Sequence, residues 1–305
     1  MRLKKKENII VFGGSGFVGK KLINALEGNI TIVSRKKNLN INTIIFDLEK
    51  DPIPINIFKN IDRVYFLAGV THDTNNVLNA RSYYSVNVEA AYNLVNLASV
   101  SGVKSFIYVS SVKAGKTCKT PDKNLDRAPK KQENIYGKSK RQAELKILKV
   151  CKESKMHISI IRPALVYGPN VKGNLKTMTS AIKKGIFPPL PETFNIRSMI
   201  HVDDLIRAIL LITKKKEAHG QIFIATDGKK YSSRNIYEIL CNILGKKIYS
   251  FSIPKFFFNF LSFMHPSFKY KIDKLLGDEF YSSHKLESLG FKAQKTLENM
   301  YETDF

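Results

Sequence analysis

A chain of 305 residues with 43% hydrophobic and 10% aromatic content has enough apolar material to exclude an extensively disordered polypeptide. Its 50 Lys plus Arg against 26 Asp plus Glu leave a net charge of +24, a field that attracts nucleotides, nucleic acid and anionic membranes alike. The lysines lie in short scattered runs such as Lys4–Lys6, Lys36-Lys37 and Lys214–Lys216, with neither an Arg-rich base-reading helix nor a zinc-finger spacing, so they read as a solvated surface and no nucleic-acid partner is expected.

Met1–Lys6 is basic, but the apolar run Ile9–Phe12 ends at once in glycines, which argues against a signal peptide. No segment offers a clean apolar span of about 20 residues, so no transmembrane helix is expected. Strands are predicted at Asn8–Phe12, Ile30–Ser34, Thr43–Phe46, Arg63–Leu67, Ser105–Ser110 and Ile158–Ile161. Between them, helical spacing of Val88, Ala91, Tyr92, Val95, Leu97 and Ala98 predicts a helix over Val86–Val100, and a second is predicted over Tyr136–Val150. Short apolar strands alternating with longer helices produce parallel βαβ units. The fold class is therefore α/β, a doubly wound parallel Rossmann sheet with a smaller C-terminal substrate-binding region.

After Arg162-Pro163, the pairs Gly168-Pro169 and Pro188-Pro189 and then Pro191 break the chain into loops before a helix at Asp203–Thr213. Asp203 and Asp204 would cap free N–H groups at its start. Residues 1–165 are read as the dinucleotide-binding core and 166–305 mainly as the substrate-binding region, with some segments returning to the core. Residues 255–271 interleave Phe256, Phe257, Phe258, Phe260, Leu261, Phe263 and Met264 with lysines at the ends. We expect a buried helix of the substrate-side cap or a partner interface there, kept short by Pro254 and Pro266, with peripheral membrane contact as the alternative. Cys118, Cys151 and Cys241 are too few and too widely separated for a disulfide framework or a Cys-rich zinc site. A reducing cytoplasm fits them, and no metal is expected.

Gly13-Gly14-Ser15-Gly16-Phe17-Val18-Gly19 follows the first strand and opens a helix. In that context the first glycines permit a tight turn, Gly16 lets backbone N–H groups approach a pyrophosphate, and Gly19 lets helix pack on strand. A fold preferring NAD usually ends its second strand in an acid that binds the adenine ribose. Here the position is Ser34, followed by Arg35, Lys36 and Lys37, which suits a ribose 2′-phosphate. NADP(H) is favoured on this ground, with NAD(H) as the alternative.

Tyr136 and Lys140 stand one helical turn apart on one face. A neighbouring ammonium stabilises phenolate and lowers the pKa of a phenol that is otherwise a poor acid/base. Ser110-Ser111 ends the fifth strand, on the side where doubly wound sheets bind ligands. Glycine turn, strand-end serines and Tyr/Lys pair thus occur in one chain, each in its expected setting.

Over about residues 8 to 245 the sequence resembles the extended short-chain dehydrogenase/reductases, the NAD(P)-dependent epimerase/dehydratase family. The likeness rests on Gly13–Gly19, Asp47-Leu48, Leu67–Gly69, Asn87, Tyr108–Ser111, Tyr136–Lys140, Arg162-Pro163, Val166–Pro169 and Arg197–Asp204. The resemblance implies Asp47 and Leu48 at the adenine, Ala68 and Gly69 beside the cofactor, and Lys140 also on the nicotinamide ribose. It implies Ser111 as the catalytic hydroxyl, and Asn174 and Arg197 at a nucleotide-sugar diphosphate. His72 and His201 match recurrent family positions and are expected to be structural. The chain departs from the pattern at Val70, where arginine is common, and at Ser34.

These features imply an oxidoreductase acting on a UDP-linked sugar. The basic second-strand end favours a reductase, and Ser111-Val112-Lys113 with Gly173-Asn174-Leu175 resembles O-antigen and surface-polysaccharide enzymes, which implies NADPH-dependent reduction of a UDP-4-keto-6-deoxy sugar with Ser111 holding the oxygen, Tyr136 protonating it and Lys140 tuning the tyrosine. The alternatives are an NAD-dependent UDP-sugar 4-epimerase and, in a different class, a non-catalytic NADPH-binding module. The family resemblance also suggests a homodimer through the two central helices.

Overall fold

The computed structural model describes residues 6–71, 80–115, 135–254, 256–258, 260, 272 and 275–304; His72, Cys118 and most of residues 261–274 fall outside them. Strand β1, Asn8–Phe12, runs parallel to β2, Asn29–Ser34, on one side and β4, Arg63–Phe66, on the other. Beyond β2 lies β3, Asn42–Ile45; beyond β4 come β5, Ser105–Val109, β6, His157–Pro163, and β9, Gln221–Ala225. The order β3-β2-β1-β4-β5-β6-β9 is parallel throughout. Strand order reverses between β1 and β4, the place where doubly wound sheets have their ligand crevice, at the carboxyl ends of the strands.

Alternation along each strand creates two core layers. Ile10, Phe12, Phe66, Phe106 and Tyr108 face one way and meet α3, Ala91–Val100, and α4, Ile135–Glu153. Ile9, Val11, Tyr65 and Ile107 face the other way and meet α1, Phe17–Ala25, and α6, Val202–Lys214. Both faces of the sheet are covered, so its strands read as continuous apolar runs. A third cluster beyond the sheet joins Tyr167, Leu175, Leu190, Ile236, Tyr237, Leu240 and Phe258. It is built on α5, Asn174–Lys183, and α7, Ser233–Ile243, beside a two-stranded sheet of β7, Leu165–Tyr167, and β8, Met199–His201.

The strands expected from sequence are present, β1 with the same ends and the others with ends shifted by one or two residues. β9 and α6 follow residue 165 yet complete the main sheet and its second layer. The helix expected over Val86–Val100 starts earlier, with α2 at Ala80–Tyr84, and passes through a π-helical turn at Ser85–Ala90. Asp203 and Asp204 lie in the first turn of α6, but the side chain of His201 caps it by accepting from the Asp203 N–H at 3.2 Å. The aspartates instead fasten the C-terminal segment. Asp204 accepts the Gln294 and Lys295 N–H groups at 2.9 Å each, and Asp203 pairs with Lys295 at 2.7 Å. Of the Phe-rich segment's described residues, Phe258 is buried as expected, while Phe256 and Phe260 are 71% and 60% exposed.

Candidate active site

The glycine turn at the end of β1 is shaped by backbone proximity. Gly13 has φ +82° and its carbonyl accepts the Gly16 N–H at 3.0 Å. A Cβ on Gly13 would stand 2.7 Å from the Ala68 nitrogen, and one on Gly19 would collide with the Gly13 carbonyl and lie 2.7 Å from the Gly14 Cα. Gly16 caps α1 without a side-chain bond, so the first amides of the helix are left for an anion. Ser15 is exposed, while Phe17 and Val18 turn back against the third and second core clusters. Gly69 faces the same crevice: a Cβ there would meet Asn87 Oδ1 at 2.8 Å and Lys140 Nζ at 3.2 Å. This bare, amide-lined cradle fits a dinucleotide pyrophosphate.

At the far end of the crevice the Ser34 carbonyl accepts the Phe46 N–H at 3.0 Å, bringing Asp47 beside the end of β2. Asp47 Oδ1 accepts the Glu49 N–H at 3.0 Å, and Leu48 leans on the first core layer. Arg35 and Lys36 are exposed.

Tyr136 and Lys140 occupy the first turns of α4, and the Tyr136 phenol is hydrogen-bonded to the Ser111 hydroxyl at the end of β5. Burial pushes the phenol up to about 12; the Ser111 bond pulls it down and nearby Tyr83 adds to the rise. Lys140 is turned elsewhere: its Nζ donates to the Val109 carbonyl at 3.1 Å and sits 4.7 Å over the Tyr108 ring. Burial lowers Lys140 to about 8, against the opposing charge of Glu144.

The two strand-end serines have different partners. Ser110 donates to Glu144 Oε1 at 2.6 Å, and Arg162 grips the same carboxylate through Nε at 2.8 Å and Nη2 at 2.6 Å. Glu144 and Arg162 are essentially inaccessible, so this buried pair ties β5, β6 and α4 together beneath the Ser111–Tyr136 contact. Asn87, in the π-helical turn, accepts the Val70 N–H at 2.8 Å and donates to the Val70 carbonyl at 3.0 Å and to Ser139 Oγ at 2.9 Å. It joins the loop after β4 to α4. Such turns recur at functional sites because they re-aim one side chain inward. The bonding of Glu144 and Asn87 was not read from sequence; a polar residue within an apolar helical stripe was the available signal.

On the substrate side Arg197 is buried, and its backbone pairs with Tyr231 through bonds of 2.8 and 3.1 Å. Its guanidinium lies 3.3 Å from Glu279, which also takes the Lys113 ammonium. Asn174 is exposed at the start of α5. His201 is fully buried with its ring edge against Tyr167. Among the described residues no group of three or more His, Cys, Asp or Glu side chains could hold a metal ion.

A profile of the NAD dependent epimerase/dehydratase family matches residues 9–225, from the first strand of this crevice through β9. The chain belongs to that family. It is 30% identical to a UDP-glucose 4-epimerase of Vibrio cholerae, over 97% of this chain and 93% of that protein. It is 27% identical to an N-acetyl-alpha-D-glucosaminyl-diphospho-ditrans,octacis-undecaprenol 4-epimerase of Escherichia coli O157:H7, over 95% and 92%. The crystal structure of UDP-glucose 4-epimerase from Thermotoga maritima with UDP-glucose superposes with a TM-score of 0.77 at 20% identity, covering 97% and 96% of the two chains, and so shares the fold. This family member is an enzyme of the nucleotide-sugar epimerase/dehydratase type. Among its described residues no helix is long and apolar enough to cross a membrane.

Proposed function

We propose that this chain is an NAD-dependent 4-epimerase of a hexose carried on a diphosphate, with a UDP-hexose as substrate. The observation that carries the reading is that two relatives spanning more than nine-tenths of both chains are 4-epimerases of diphosphate-linked sugars, although one sugar is borne by a nucleoside and the other by a lipid. This displaces the expected net reduction of a 4-keto sugar. An epimerase retains its cofactor through the cycle, whereas a reductase must exchange it.

Gly13 to Gly19, Asp47, Leu48, Ala68 and Gly69 would hold NAD, which supplies an acceptor and donor of two electrons for C4 of the sugar. Tyr136 takes the proton from the C4 hydroxyl and later returns it to the oxygen. Ser111 donates to that oxygen and holds it beside the phenol. A phenol near 12 is too weak an acid for this at neutral pH. Lys140, one helical turn on, would favour phenolate through its charge. Arg197, with its planar fork, and Asn174 would receive the diphosphate. Arg35 and Lys36, exposed beside Ser34, favour NADP(H) as a second reading of the cofactor. A homodimer would form through α3 and α4, where Val100 is 76% and Leu145 52% exposed.

The test is to incubate the purified protein with UDP-glucose or UDP-N-acetylglucosamine in the presence of NAD or NADP and separate the products. Accumulation of the 4-epimer without net change in the cofactor supports the proposal. NADPH oxidation matched by reduction of a UDP-4-keto-6-deoxy sugar, with no epimer formed, overturns it.

A further inference from the structure

We propose that the outer surface of the third core cluster is a docking site for an anionic lipid bilayer, which seats the enzyme on a membrane without a spanning helix. Residues 256–258 and 260 are helical, and the segment is amphipathic by position: Phe258 is buried in the third cluster while Phe256, Phe257 and Phe260 point outward. Their spacing of i, i+1 and i+4 puts the three exposed rings on one helical face. Immediately before them Tyr249 and Phe251 are 40% and 62% exposed, with ring centroids 5.3 Å apart. Aromatics displayed in this density have no use in water, since a soluble surface rarely holds a contiguous apolar patch without a partner.

Charge chooses the partner. Lys246 and Lys247 are exposed beside the aromatics, and the sequence from 246 to 272 contains five lysines and no carboxylate. Lysine is depleted at protein interfaces, whereas aromatics flanked by lysines are the composition of a surface that seats rings among lipid headgroups and draws anionic ones electrostatically. The chain's net charge of +24 reinforces that attraction. The patch lies on the substrate-side cluster rather than on the sheet: Ile253 donates to the Pro189 carbonyl at 3.0 Å, and Arg234 holds the Leu190 and Tyr249 carbonyls at 2.7 and 3.3 Å. None of these exposed residues belongs to the glycine cradle or to the Ser111–Tyr136–Lys140 group, so docking and turnover are separable.

The experiment is co-sedimentation of the full chain with phosphatidylcholine vesicles containing phosphatidylglycerol, against phosphatidylcholine alone, with turnover of a soluble UDP-hexose or binding of NAD as the check on folding. The wild type is expected to sediment with the anionic vesicles. F251S/F256S/F260S should weaken partitioning by at least about tenfold while leaving turnover and NAD binding unchanged. Should that triple variant fail to fold, K246E/K247E provides an independent arm: its binding should fall at low salt and converge on the wild type at high salt. Absence of vesicle binding by the wild type overturns the proposal. So does undiminished binding by the folded variants, or a patch whose substitution changes only the oligomeric state in sedimentation velocity.

Discussion

The two halves of the crevice are built by different means. The cofactor half is made of backbone: Gly13, Gly16, Gly19 and Gly69 keep side chains out of a space closed by local turns. The proposed sugar half is made of side chains brought from far apart in sequence, with Glu279 joining Arg197 to Lys113 and α5 and α7 packed around Tyr237. A cradle of amides accepts any pyrophosphate of the right shape, so it is shared widely. An arrangement of charged side chains decides which sugar and which carrier enter, and changes with a few substitutions.

The sharpest break in this comparison is at the junction of the halves. Tyr136→Phe should lower kcat on the order of 10²–10⁴-fold while NAD affinity, measured by titration, stays near wild type. Equal loss of both would mean that Tyr136 serves the cradle. Next comes the buried support beneath it. Glu144→Ala removes the carboxylate that Arg162 and Ser110 share, and should cost about 3–5 kcal/mol in denaturant unfolding, because a buried guanidinium loses its counter-charge.

The glycine turn after β1 and the placement of Tyr136 and Lys140 on one helix were legible in the sequence, because a glycine spacing after a strand and a Tyr/Lys pair on a helix are local patterns. It could not show that burial holds the Tyr136 phenol up to about 12, since that depends on what packs over the ring. Nor could it separate the partners of Ser110 and Ser111 by residue type; Glu144 at 2.6 Å does that across 34 positions. Local pattern failed again at Asp203 and Asp204, which look like caps but bind the chain some 90 residues further on. β9 was hidden because Gln221–Ala225 is a short apolar run following a helix, and only its pairing with β6 marks it as a strand.

A smaller effect is expected in the sugar half. Glu279→Gln removes the carboxylate competing for Arg197 and Lys113, so KM for the UDP-hexose should fall several-fold with kcat changing less. A raised KM would show instead that Glu279 aims Arg197. The smallest effect is a pH dependence at Asp227, which receives the Tyr167 and Tyr231 hydroxyls at 3.3 and 3.0 Å and which burial raises to about 6. Its folded value lies above the unfolded one, so the folded state binds the extra proton between about pH 4 and about pH 6 and stability from this group declines as pH rises through that window. Thermal unfolding of Asp227→Asn should lack that part of the slope.

The central claim is that one bound cofactor removes and returns the same hydrogen at C4. UDP-glucose deuterated at C4 tests it directly, with the recovered 4-epimer analysed by mass spectrometry and NMR. The account predicts that deuterium stays at C4 of the product and that none enters C4 from heavy water. Loss of the label, or product formed only with consumption of NADPH, would contradict it.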